Sequence, residues 1–524
     1  MEKVLLPVFD AAKKLTVTPA SVLGAVGTLF LCYHLSSIIY NIFFHPLRSF
    51  PGPFLAKFSR LYELWYDIPK GGQFCFHCEE VLHPTYGPIV RTGPNRLRIQ
   101  GIDAFAHMSR MGTRFIRDEK HYQSNGTEDT MVTTPSNEDH RQRRKYFEPG
   151  FTKNEVIKRE PLLRRKFERA FGKLEDIMKK NGGVAEVDMN FMFMCTALEI
   201  FSEFSFGIDS TEFLDAPNFA HPFVVGIPKI EEDFNVVKHF KFFLITLPGT
   251  LPKWFRDKAN IDKYHKQFLA EQAGGLRTRS EKGKPGFKPD TILDSVFNQL
   301  GTSGIPPTMY ADIGITFAAS FGTISKSSAC AITHINREPR IKELLLAELR
   351  SITPNSKEWI TYSQCEHLPY ISACVKETLR LAQPVCGALS RISPVNPPNT
   401  PTVFHNRVIP PNTNCECTIY SNHMNPKVFP NPTEFLPERW LLSHATQAEI
   451  NERERWMVPF GRGAKICLGM HMAYMQVYLT IANFSSRYEV ELNDELLKEG
   501  YRFNDKFFGV PRSNLRVKFR ERGD

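Results

Sequence analysis

From Pro19 to Phe44 the chain runs for 26 residues without a Lys, Arg, Asp or Glu. At about 1.5 Å rise per residue that is enough helix to cross a bilayer. His34, Ser36, Ser37 and Asn41 make its second half polar enough for a headgroup boundary, so a buried or interfacial helix is the competing reading. No small-residue cleavage site accompanies it, so residues 1–44 are expected to form an uncleaved membrane anchor. Three Lys precede the run (Lys3, Lys13, Lys14) and three basic residues closely follow it (Arg48, Lys57, Arg60), so charge assigns no orientation. Pro51-Gly52-Pro53 removes amide donors and biases its neighbours toward extended geometry, predicting a stiff hinge over residues 45–54.

Past the hinge the period becomes helical. Apolar residues recur every three or four positions in residues 162–180 and again in residues 339–352. Shorter β-rich pieces occupy residues 87–100, 402–421 and 515–519. No Gly/Ser linker or internal repeat interrupts the pattern, so residues 55–524 are expected to form one domain, α+β in class and predominantly helical.

Composition adjusts this picture modestly. The 524 residues, 42% hydrophobic, can bury one large core or two ordinary ones. The net charge of +10 can favour an anionic membrane or an acidic partner. No finger spacing, RNA-binding aromatic signature or basic tail points to nucleic acid, and the densest basic run is His140 to Lys145. Eleven scattered cysteines suggest neither a disulfide framework nor a four-ligand zinc site, and favour reducing surroundings. Asn125-Gly126-Thr127 matches a glycosylation acceptor, which matters only in a lumen.

The most specific stretch is PFGRGAKICLG, residues 459–469, directly before the apolar-rich residues 469–484. A tight loop there feeds a helix. Gly461, Gly463 and Gly469 permit turns and close approach to a flat ligand, while helix-end amides can stabilise a thiolate at Cys467. Phe460, Gly463, Cys467 and Gly469 resemble the haem-binding loop of the cytochrome P450 superfamily. The resemblance implies the P450 fold and haem b, with Cys467 as axial thiolate ligand of the iron, a donor that favours O–O cleavage. Where the family usually has arginine two residues before the cysteine, Lys465 keeps the charge for a haem propionate without the bidentate fork.

Further motifs follow the family's order. KETLR places Glu377 and Arg380 at i, i+3 on one helical face, and Arg439 in FLPERW resembles the third member of their ion-pair network. His140 and Arg144 resemble the family's HxxxR pair, and Arg391 a further propionate contact. Arg141, Arg143 and Lys145 are then left to meet an acidic electron donor. Residues 310–335 resemble the long helix above the haem, with Ala319, Ser320, Phe321, Gly322 and Thr323 aligned to its oxygen-activating motif. Thr316 is a second threonine that can share that face. Thr323 can pass a proton or hold water, but Gly322 stands where the family places an acid. Delivery must then use Thr323, Ser320, Ser325, water or the substrate, unless the reaction needs no such relay.

The resemblance implies a monooxygenase that hydroxylates or epoxidises a lipophilic small molecule. O2 is the co-substrate, and electrons come from NADPH through NADPH-cytochrome P450 reductase, with cytochrome b5 as a further donor. Oxidative cyclisation, coupling or desaturation without oxygen insertion is the alternative that Gly322 makes thinkable, and a non-catalytic haem sensor or scaffold is another. Phe115, Phe219, Phe223, Phe321, Val385, Leu389, Phe507 and Phe508 fall in segments the resemblance assigns to the pocket wall. YDIPKGGQF, YGPIVRTGPNRLRI and FLPERW are similar to microsomal fungal P450s of secondary metabolism, including trichodiene-oxygenase-like enzymes. That implies a monomeric catalytic unit at the cytosolic face of the endoplasmic reticulum.

Overall fold

The computed structural model describes residues 19–123, 129–246, 291–300, 306–395 and 400–523. The Asn125-Gly126-Thr127 acceptor and Lys3, Lys13 and Lys14 lie outside these. The helices that position the site are α1 (Pro19–Ile39), α2 (Asn137–Lys145), α3 (Glu160–Lys180), α4 (Met189–Phe206), α5 (Pro222–Glu232), α6 (Pro307–Arg337), α7 (Pro339–Ile352), α8 (Pro369–Ala382) and α9 (Met470–Arg487).

Local sequence explains these boundaries. On α3 the buried positions Leu163, Phe167, Ala170, Phe171, Leu174, Ile177 and Met178 repeat every three or four residues, and Lys179 and Lys180 complement the C-terminal dipole. Helix α4 is buried almost all round. The Asp188 side chain caps it by accepting from the Asn190 and Phe191 amides at 2.9 and 3.2 Å, and Gly207 ends it in the left-handed region at φ 64°. Helices α3, α4, α6, α8 and α9 share the main apolar core, in which Phe484 of α9 meets Phe167, Phe171 and Phe193 edge-on.

A five-stranded sheet lies beside this bundle. Its strands are β1 (Ile89–Gly93), β2 (Arg96–Ile99), β3 (Ile116–Arg117), β4 (Leu389–Ile392) and β5 (Asn414–Cys417), in the order β1-β2-β5-β4-β3. Only β2 and β5 run parallel. A second sheet sets Arg516–Glu521 between Ala185–Asp188 and Tyr488–Glu491. Strands distant in sequence thus pair beside one helical core, giving the α+β class expected.

Helix α1 and the turn that follows form one apolar stretch, Pro19–Phe44, long enough to cross a membrane; its most apolar 18-residue window has mean hydropathy 1.8 and none of that window is buried. Its junction with the body is docked. The fully buried Arg91 of β1 donates to the carbonyls of Asn41 (3.0 Å), Lys57 (2.9 Å) and Pro94 (2.6 Å), while its own amide donates to Pro51 O at 2.7 Å. A Cβ at Gly52 would stand 2.2 Å from Arg91 O, so glycine is what allows the Pro51–Pro53 segment to lie against β1. The stiff segment is therefore a clasp between apolar helix and sheet. Replacing Arg91 by Met is expected to leave these carbonyls unpaired and destabilise the fold by on the order of 3 kcal/mol. The denaturation midpoint measures this, and an unchanged midpoint would show that the clasp carries no stability.

Candidate active site

The cysteine loop is wound by its own backbone. The Gly461 amide donates to Val458 O, the Ile466 amide to Gly463 O and the Cys467 amide to Phe460 O at 3.0, 3.1 and 2.8 Å. Gly463 has φ +68°, and a Cβ there would lie 2.0 Å from Ser109 O, so the loop can pack on its neighbour only with glycine at this position. Of the eleven cysteines, all free, nine are buried; Cys467 and Cys32 of α1 are the exposed ones. Burial of its surroundings raises the Cys467 thiol above its usual range, while the Gly469 amide and the Arg144 guanidinium favour the thiolate. Cys75 and Cys78, spaced as Cys-x-x-Cys, are both buried, and no cluster of three or more His, Cys, Asp or Glu suited to a metal occurs among the described residues.

Around this loop the fold gathers positive charge. His140 is buried, and Arg144 of the same helix, α2, donates to Ile466 O, one residue before the cysteine, and pairs with Glu148 at 2.6 Å. Arg117 of β3 and Arg391 of β4, both buried, stand opposite each other in the antiparallel register. Like charges so placed destabilise a strand pair. Arg391 donates to Tyr122 Oη at 2.7 Å and Arg117 to Met131 O at 2.5 Å, and both guanidinia lie within 6 Å of the Tyr122 ring. Lys465 Nζ is buried with no hydrogen-bond partner, as is Arg117 Nε.

These groups disfavour one another's charge. Burial, then Arg117 and Arg391, pulls Lys465 down to about 6. Burial with Arg117, Lys465, Arg144 and Arg391 pulls His140 down to about 2, and burial with Arg391 lowers Arg117 to about 9. An orphaned ammonium, an orphaned guanidinium nitrogen and two facing arginines fit a dianionic group such as the paired propionates of haem. Sequence reasoning assigned His140, Arg144, Lys465 and Arg391 but missed Arg117, whose segment carries no motif and which strand pairing alone brings in.

Behind the loop, Glu377 of α8 is fully buried and every oxygen is used. Arg380 donates to both at 3.0 and 2.7 Å; Arg439 Nε and the Leu436 amide reach Oε1 at 3.0 Å, and Trp440 Nε1 reaches Oε2 at 2.9 Å. Burial alone would raise this carboxyl, but Arg380 and Arg439 hold it below its ordinary value. His423 ties the network to the loop. Its Nε2 accepts from the Val458 amide at 2.9 Å, so Nδ1 bears the proton donated to Arg380 O at 3.1 Å. Burial lowers His423 to about 3, keeping the ring neutral for both bonds. Trp440 and His423 were not foreseen; Trp440 lies inside the FLPERW motif, whereas His423 has no sequence signal.

Helix α6 faces the loop across a chamber. Thr323, Ile324 and Ser327 line one side and Pro459, Phe460 and Val477 another, with Leu379, Pro384 and Val385 between. The Thr323 hydroxyl donates to Ala319 O at 2.9 Å, leaving its lone pairs available to accept. Ser320 is buried and donates to Phe317 O, and Ser325 is buried and donates to Gly322 O, so neither is brought to the chamber wall. Thr316, two helical turns before Thr323 on the same face, donates to Asp312 O.

Several other expected residues sit elsewhere. Arg143 is turned inward, bonding Asp312 at 2.7 and 2.9 Å, Asp129 and Thr308 O, which leaves Arg141 and Lys145 as the exposed cations of the run. Val385 lines the chamber. Phe115 packs with Phe404 and His107 in the sheet's core, and Phe219, Phe223 and Phe321 are buried in the helical core, with Phe223 and Phe321 rings 5.9 Å apart. Buried to 3% exposure or less, these four are not among the residues that line the chamber. Leu389 is half-buried against the sheet's core. Phe507 stacks on Phe234 at 5.4 Å beside a second, charged cavity, and Phe508 lies against Phe507 and under Lys326.

A thiol loop, a facing threonine helix and a cationic rim describe a protein built around a flat, dianionic, metal-bearing group. The cytochrome P450 family model matches residues 66–519, and the chain belongs to that family. Curated relatives are fungal. Cytochrome P450 monooxygenase macH of Penicillium terrestre is 29% identical, covering 91% of this chain and 93% of its own. BOT1 of Botryotinia fuckeliana and sdnE of Sordaria araneosa, both cytochrome P450 monooxygenases, are each 28% identical, over 89% and 95% of this chain and 90% and 97% of their own.

Glu377→Gln leaves Arg380 and Arg439 buried without a counter-charge, a loss of about 3–5 kcal/mol. Purified protein is expected to carry only a small fraction of the wild-type haem per chain by pyridine haemochrome assay; full occupancy would show that the network does not support the loop. Gly463→Ala is expected to displace the loop and lower haem content in the same assay.

Proposed function

We propose that the protein is a haem-thiolate monooxygenase that inserts one oxygen atom of O2 into a lipophilic small molecule of fungal secondary metabolism, by hydroxylation or epoxidation. The observation that carries this reading is the buried cation cluster around the Cys467 loop, in which Lys465 Nζ and Arg117 Nε have no hydrogen-bond partner. Haem b, when bound there, supplies a redox-active iron at which O2 is activated.

The chain's own residues do the rest. Cys467 would hold the iron of a bound haem, with the Gly469 amide and Arg144 favouring its thiolate form. Lys465, Arg391, Arg117, His140 and Arg144 would hold the haem propionates, and Phe460 lines the chamber. Thr323 accepts a hydrogen bond on the chamber side while its own proton is engaged by Ala319 O. Ile324, Val385 and Ile419 give the chamber apolar walls that exclude water and suit a terpenoid, polyketide or alkaloid. Residues 1–44 anchor the protein in the endoplasmic reticulum membrane, residues 45–54 join anchor to body, and residues 55–524 form the catalytic domain facing the cytosol. Electrons arrive from NADPH through the cytochrome P450 reductase, with cytochrome b5 as auxiliary donor and Arg141 and Lys145 as exposed cations for docking.

The test is turnover of a panel of terpenoids, polyketides and alkaloids by the holoenzyme with reductase and NADPH under ¹⁸O2. One labelled oxygen in the product is expected. Turnover to an unlabelled, ring-closed or desaturated product would replace oxygen insertion by oxidative coupling, and turnover without reductase or peroxide would overturn the redox reading.

A further inference from the structure

Position 322, one residue before Thr323, carries no side chain, but the side chain of another residue borders the space that one would enter. A Cβ built on Gly322 would meet one atom within 4 Å, and it is a carboxylate oxygen: Oε1 of Glu231, at 3.6 Å. Glu231 belongs to α5 and lies 91 residues earlier in the chain. It sits in the last turn of α5, where the helix dipole disfavours an anion, so the helix itself gives no reason for it. Lys326 gives one. Four residues beyond Gly322 and therefore on the same face of α6, Lys326 is 1% exposed and donates to Glu231 Oε1 at 2.6 Å. Its ammonium also lies over the Phe508 ring, 5.4 Å from the centroid.

The pair is asymmetric in a way that a purely structural ion pair has no need to be. Oε1 is engaged by Lys326, whereas Oε2 is buried with no hydrogen-bond partner. A buried carboxylate oxygen left without a donor is costly. The Glu231 side chain keeps 12% exposure, so it has contact with solvent as well as with Gly322. The residue that follows, Thr323, lines the chamber together with Ser327.

We propose that Glu231 supplies from α5 the titratable acid that α6 lacks at position 322, with Lys326 as the positioning residue that holds it there. The inference rests on the haem-monooxygenase reading above. The carboxyl group takes a proton from water at the exposed part of its side chain, releases it to water on the chamber side at Thr323, and is reprotonated from solvent. Only O–H bonds form and break, one proton leaves for each proton gained, and no electrons are transferred. The acid and threonine functions are thereby divided between two helices, with the Glu231 carboxylate in ordinary contact distance of where a Cβ at 322 would stand.

The experiment compares wild type, Glu231→Gln, Glu231→Gln/Gly322→Asp and Glu231→Gln/Gly322→Asn as holoenzymes reconstituted with reductase. It reads NADPH-driven O2 consumption without added ligand, in H2O and in D2O, alongside haem content, melting midpoint and infrared difference spectra of the resting ferric protein. Glu231→Gln is expected to keep its haem and slow O2 consumption at least tenfold, with an altered solvent isotope effect. Gly322→Asp is expected to restore both to within about threefold, and Gly322→Asn to restore neither. In the infrared, a carboxylate band that responds to D2O should disappear in Glu231→Gln and return, shifted, with Gly322→Asp. Wild-type rate and isotope effect in Glu231→Gln, or equal rescue by Asp and Asn, would overturn the proposal. Wild-type protein that takes up no haem would instead overturn the reading on which it rests.

Discussion

Positive charge with nowhere to discharge itself is the constraint on which this structure turns. Arg117 and Arg391 oppose each other across a strand pair, His140 and Lys465 are forced toward their neutral forms, and an ammonium nitrogen is left without a partner. A fold can keep such a cluster only if something anionic joins it. The cations come from α2, β3, β4 and the cysteine loop, so one dianionic ligand would bind four separate pieces of the chain at once, and its binding energy becomes folding energy.

The Glu377 network answers the opposite problem. There a single carboxylate is surrounded by more donors than it needs, and burial is tolerable because each oxygen is fully engaged. Through Arg380 O and His423 the same network reaches the Val458 amide at the entrance of the cysteine loop. The loop is thus fixed from behind by a satisfied charge cluster and approached in front by an unsatisfied one. That asymmetry gives a rigid back and a receptive front to the cysteine loop.

Features confined to a short window were legible in the sequence. The glycine-punctuated run around Cys467, the i, i+3 pair of KETLR and the uncharged stretch from Pro19 to Phe44 each carry their physics locally. Arg117, His423 and Glu231 do not. Each gains its role from a partner more than 30 residues away: Arg391 across a strand, Val458 along the loop, Gly322 and Lys326 on another helix. Arg143 shows the converse error, because a basic run suggests a surface, and only the fold reveals Asp312 waiting inside for one of its members. The places of the expected pocket phenylalanines were not legible for a related reason, since an aromatic residue's pattern is the same whether it lines a cavity or fills a core.

The claim beneath all of this is that Cys467 sulfur is the iron ligand. Its most direct measurement is the absorption spectrum of dithionite-reduced, CO-treated protein, recorded for wild type and for Cys467→His loaded with haem. The account predicts the long-wavelength Soret band of thiolate ligation in the wild type and a band near the shorter wavelength of histidine-ligated haem in the variant. The same long-wavelength band in both would mean that the ligand is another residue.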